Sequence, residues 1–216
     1  YQGKVENVLT VTEFKKHLID ILTIDNFVNY NNGNLVRYFY DLNDEVDIEE
    51  YKNTKTYEKL NIKNKEDKIF YQKIVSAFLN FIEYLKDDEL FIDYTYLWDI
   101  ITTPHPKMFP KGINLIIMEI SDDDITNNIG IICPTNYYAN NIYNARNPCL
   151  FIIKQNEYYE PIYSYYEGDK IKINKFFSEY KQYSWSNNAM KTILQKMIKP
   201  YFNKLCLPKP SLPNVY

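Results

Sequence analysis

The sequence predicts an α+β fold, with helices packed on a mixed β-sheet of about five strands. Three observations carry this. Apolar residues recur at helical spacing through the first hundred positions, β-branched runs bounded by turn signals follow from Asn114 to Ile173, and a last helical pattern runs up to Pro200. Helices first and strands afterwards describe segregated layers rather than alternating βαβ units.

Thr10-Val11-Thr12-Glu13 has capping-box spacing, and Val11, Phe14, Leu18, Ile21 and Leu22 then share one helical face, which predicts a helix over about Val11 to Leu22. Asn29 to Asn34 is a dense turn signal, and a helix begins after it between Leu35 and Tyr40. Asn43 to Lys68 alternates acids and lysines with few large apolar side chains and reads as an exposed loop. Ile69, Phe70, Ile74, Val75, Phe78, Leu79, Ile82 and Leu85 form an apolar stripe on a helix from about Glu66 to Lys86, the expected central core helix.

A shorter helix, Tyr94 to Ile101, places Trp98 in the core and ends before Thr103-Pro104-His105-Pro106, because a residue preceding proline disfavours helix. Strands are expected at Asn114 to Ile120, Ile129 to Cys133, Cys149 to Lys154 and Tyr158 to Tyr165, with a short edge at Ile171 to Ile173. Met190, Ile193, Leu194, Met197 and Ile198 define a last amphipathic helix that stops at Pro200. The expected organisation is one domain over residues 1–200. Residues 201–216, punctuated by Pro208, Pro210 and Pro213, form an extended tail leading to a further region of a longer protein.

Composition removes several classes of function. The 216 residues carry 25 Lys and Arg against 28 Asp and Glu, a net charge of −3, which lacks the basic excess of a broad nucleic-acid surface. Lys170, Lys172 and Lys175 read as a solvated strand face. Apolar runs such as Leu115 to Met118 are far too short to cross a bilayer. Cys133, Cys149 and Cys206 lack CxxC spacing and the two histidines, His17 and His105, stand far apart, so no zinc framework and no cofactor is expected. An odd cysteine count without a signal-peptide pattern points to a reducing compartment, a host cytoplasm or the interior of a virion, and not to secretion.

Cys149 to Tyr166, CLFIIKQNEYYEPIYSYY, reads as a β-hairpin of an apolar strand, a polar turn and an aromatic strand. It resembles the hairpin of otubain-type (OTU) cysteine proteases, in which a His-Tyr pair follows the turn and the His is the catalytic base. Here the pair is Tyr158-Tyr159. Asn32-Gly33-Asn34-Leu35-Val36-Arg37 likewise resembles the family's Asp-Gly-Asn-Cys-Leu-Phe, with Leu35 in the place of the nucleophile. The resemblance covers Asn26 to Tyr166 and implies an OTU, papain-like architecture whose catalytic positions, Leu35 and Tyr158, are vestigial. Frequent Asn, Ile, Lys and Tyr with only five Gly, together with GINLIIMEISDDDIT and YYEPIY, resemble a segment of a large protein of giant nucleocytoplasmic DNA viruses.

A leucine cannot attack a carbonyl, and a phenol with a pKa near ~10 is a weak base at neutral pH. The favoured expectation is therefore a catalytically inactive, pseudo-deubiquitinase module that binds ubiquitin, a ubiquitin-like protein or a viral protein, through Gly33, Asn34, Tyr158, Tyr159 and Trp185. Two alternatives stay open. One is an active cysteine protease with displaced residues, drawn from Cys133, Cys149 and His105. The other is a magnesium-dependent nuclease using Asp93, Glu119 and Asp122 to Asp124, whose acidic turn resembles a metal site.

Overall fold

In the computed structural model, Thr10 closes the capping box the sequence predicts. Its Oγ1 accepts the Glu13 N–H at 3.1 Å, and the Glu13 carboxylate accepts the Thr10 N–H at 2.8 Å, starting α1 at Val11–Ile21. The structure describes residues 9–120, 129–134, 143–166, 172–180 and 187–206. Its contacts gather into two compact units, Lys4–Ile100 and Ile101–Tyr216, whose boundary falls inside a helix.

In the first unit, α1 is followed by α2 (Ile24–Phe27), α3 (Asn34–Phe39), α4 (Lys55–Lys59), α5 (Lys65–Lys86) and α6 (Tyr94–Thr102). The long α5 is the core helix, and α1, α2 and α3 pack on it. Its buried face carries Tyr71, Ile74, Val75, Phe78, Phe81 and Leu85, whereas Ile69 and Phe70 are exposed. The apolar stripe read from the sequence is thus rotated at its N-terminal end. Tyr71 is buried because its hydroxyl finds polar partners, donating to the Tyr51 carbonyl at 2.8 Å and meeting Thr54 Oγ1 at 2.8 Å. Phe27 stacks on Phe81, and Phe39 meets Phe81 edge-on. Lys15 is buried on α1, and its ammonium donates to the Asp87 carbonyl at the C-terminal end of α5.

The stretch 43–68 is not a bare loop. Ile48–Tyr51 forms a 3₁₀ turn with Ile48 buried, and Thr54 caps α4. Ser76 on α5 ties this region down, accepting the Asp41 N–H at 3.0 Å and donating to the Asp44 carboxylate.

The second unit holds a four-stranded mixed sheet of order β2-β1-β3-β4, built from β1 (Asn114–Ile120), β2 (Ile129–Ile132), β3 (Cys149–Gln155) and β4 (Tyr158–Ile162). β1 pairs antiparallel with β2 and parallel with β3, and β4 returns antiparallel to β3 through a tight turn with Asn156 left-handed at φ 53°. The expected five-stranded sheet does not form. The chain leaves the ladder at Tyr163, and β5 (Ser164–Tyr166) pairs with β6 (Lys172–Asn174) in a separate two-stranded sheet. Pro161 fits this ending, because a residue without an N–H suits only the edge of a sheet.

Ile116, Cys149 and Phe151 on one sheet face join Phe177, Leu194, Ile198 and Phe202 in the core of this unit. The last helical segment does not stop at Pro200. It runs as α7 (Asn187–Ile193), a π-helical stretch (Leu194–Ile198) and α8 (Lys199–Leu205). The wider π turn falls just before Pro200, where the ring would otherwise clash with the preceding turn and the missing N–H would leave a gap in the α ladder. Residues 201–206, assigned to the tail from sequence, therefore include Phe202 and Cys206 of the core.

Candidate functional site

The turn before α3 has the most unusual backbone in the first unit. Asn31 (φ 48°), Asn32 (φ 56°) and Gly33 (φ 80°) are left-handed in succession, and Gly33 stands at the N-cap of α3. Asn and Gly are the residues that tolerate this conformation. Buried Asp99 on α6 accepts the Asn31 N–H and so fixes the turn. Burial, with the Asp99 charge adding to it, pushes the Tyr30 phenol far above its ordinary range. Leu35, one residue inside α3, is completely buried, and Asn34 is half-buried beside it. A loop-to-helix start is present where the resemblance placed one, but its leucine is a core residue.

Tyr158 and Tyr159 belong to the second unit. Tyr158 faces Gln155 across the hairpin end and is 77% exposed, while Tyr159, opposite Lys154, is half-buried. This is the alternation expected of adjacent strand residues. Tyr163 and Tyr165 are also exposed, at 54% and 63%. Trp185 and Asp122 to Asp124 lie outside the described residues.

Each of the displaced-protease residues has partners of its own. Cys133 is bonded to Cys206, so it has no thiol to ionise, and Cys149 is the one free cysteine among the described residues. Sequence could not reveal this pair, because 73 residues separate its members. Cys149 is buried on β3, and burial pushes its thiol up against the opposing effect of hydrogen bonds from Asn114 and Tyr143. A raised thiol is the reverse of what a nucleophile needs. His105 sits half-buried in its own loop, its Nδ1 accepting the Lys107 N–H at 3.2 Å.

The carboxylates proposed for magnesium are also engaged. Glu119 and Lys154 are register partners on β1 and β3 and pair at 2.6 Å, whereas Asp93 accepts the Thr95 N–H at 2.8 Å in the first turn of α6. Among the described residues, no group of three or more His, Cys, Asp or Glu is placed to hold a metal ion. No helix among them is long and apolar enough to cross a membrane.

Sequence reasoning missed a polar cluster around Cys149. Asn114, the register partner of Cys149, donates from Nδ2 to the Asn144 carbonyl at 2.8 Å and accepts the Asn144 N–H at 3.0 Å, with the Cys149 sulfur 3.4 Å from the same Nδ2. Tyr143 lies 3.8 Å from that sulfur and donates its hydroxyl to Glu179 Oε1 at 2.7 Å. Glu179 is only 5% exposed. Nothing local in Ser178-Glu179-Tyr180 marks it, because its partner comes from a distant segment. Comparison of the chain with protein-family models, curated proteins and solved structures finds no match.

Proposed function

We propose that this chain is a non-catalytic protein-interaction module of a longer viral protein, an OTU-like domain with vestigial catalytic positions that recognises ubiquitin or a ubiquitin-like protein. The observation that carries the reading is the exposure of three tyrosines, Tyr158 at the start of β4, Tyr163 between β4 and β5, and Tyr165 in β5. Large aromatic side chains left in water at a sheet edge are the residue type that supplies binding anchors, since each buries much area at little rotamer cost. The burial of Leu35 and Cys149 and the bonding of Cys133 support a binding role over cysteine chemistry. The engagement of Glu119 by Lys154 weighs against the nuclease alternative.

Two measurements test the proposal. Isotope-labelled ubiquitin titrated with the chain should show saturable shifts on one surface, lost when Tyr158, Tyr163 and Tyr165 are replaced together by Ala. Unchanged spectra would sink the ubiquitin assignment. Ubiquitin carrying a thiol-reactive C-terminal group should leave the intact mass of the chain unaltered, and an adduct at Cys149 would overturn the non-catalytic reading.

A further inference from the structure

Glu179 lines an open cleft of about 540 Å³ in the second unit, together with Tyr180, Gln195, Lys199, Asn203 and Lys204. One carboxylate oxygen accepts the Tyr143 hydroxyl at 2.7 Å, and the second accepts no hydrogen bond from the described residues. A carboxylate this buried carries a desolvation cost that a cation seated in the cleft would offset. Lys199 and Lys204 form no ion pair among the described residues, although they share the cleft with Glu179. The cleft thus presents a recessed anion, held in place by Tyr143, together with two lysines. Gln195 and Asn203 add amides that both donate and accept.

We infer that this cleft binds a small zwitterion of the amino-acid class, a cationic amine or guanidinium seated on Glu179 and a carboxylate facing Lys199 and Lys204. Opposite charges in one cleft select against purely cationic and purely anionic molecules, because either would leave one set of protein charges uncompensated. Tyr180, exposed at the same cleft, supplies an aromatic face to the cationic end.

The test is titration of the whole chain with L-arginine and L-lysine, followed by calorimetry and by chemical-shift changes. Saturable binding is expected, with agmatine, which lacks the carboxylate, weaker by roughly tenfold. Glu179→Gln should weaken L-arginine by at least about tenfold while far-UV circular dichroism stays unchanged. If that variant fails to fold, the surface pair Lys199→Gln with Lys204→Gln serves instead, and it should erase the preference for L-arginine over agmatine. No binding of either amino acid at about 10 mM would overturn the inference, as would equal affinity for agmatine or an affinity that the folded variants leave untouched.

Discussion

Asp99 on α6 accepts the backbone N–H of Asn31 at 2.5 Å, from 68 residues further along the chain. That one bond holds a turn whose three central residues are all left-handed, a conformation that costs roughly 1 kcal/mol at each non-glycine position. Asp99→Asn keeps the shape but gives up the charge, and the expected loss is about 1–3 kcal/mol by urea denaturation. Faster exchange of the Asn31 amide should accompany it, and an unaltered exchange rate would show that the turn holds without Asp99.

The Cys133–Cys206 bond ties the end of β2 to the end of α8 and closes a 73-residue separation. Constraining a loop of that length in the unfolded chain stabilises the fold by about 4 kcal/mol. Reduction should therefore shift the denaturation midpoint strongly downwards. Under non-reducing denaturation one thiol should titrate, that of Cys149, and a count of three would refute the pairing.

Leu35 is completely buried against the first unit's core. A thiol placed there, Leu35→Cys in a Cys149→Ser background, should resist a water-soluble disulfide reagent until the protein is unfolded. Prompt native labelling would mean that this position faces solvent, as a nucleophile must. Leu35→Ala should cost about 2–5 kcal/mol through lost burial and the cavity left behind.

Asp25 accepts the Thr56 hydroxyl at 2.7 Å and the backbone N–H groups of Lys55 and Thr56 at the start of α4. Partial burial works to raise its pKa, but the hydrogen bonds from Thr56 and Lys55 outweigh it and leave the value below 3.8. A depressed folded-state pKa gives stability that is present above the unfolded value and lost as pH falls through the folded one. The contribution should hold at neutral pH and disappear below about pH 4. Asp25→Asn should flatten the acid limb of the stability curve, and an acid limb identical to that of the parent would count against this role.

Gly112 adopts φ +74°, and a Cβ there would lie 2.7 Å from the Thr102 carbonyl oxygen. Gly112→Ala combines a disfavoured backbone with a backbone overlap that no side-chain rotation relieves. The expected cost is about 2 kcal/mol or more, read as a lowered thermal midpoint. A midpoint within error of the parent would mean that the turn can open without penalty.

Much of the architecture was legible because its signals are local. The capping box at Thr10 and Glu13, the helix over residues 65–86, Trp98 in the core and the Asn156 hairpin all rest on residues a few positions apart. The errors arose where a local pattern admitted two outcomes. Residues 43–68 look solvated until Ser76 supplies partners for Asp41 and Asp44, and Pro200 looks like a stop until the π turn makes room for it.

The sequence by itself determined the α+β class, the order of the helices and strands and the turn chemistry between them, since side-chain period, caps and turn residues act within a few positions of the chain. Only the tertiary structure decided that Cys133 meets Cys206, that Lys154 neutralises Glu119 and that Tyr143 holds Glu179 at the floor of a cleft. Those encounters depend on strand register and on how the last helices cover the sheet. They follow from the packing of the whole core, which no spacing between neighbours records.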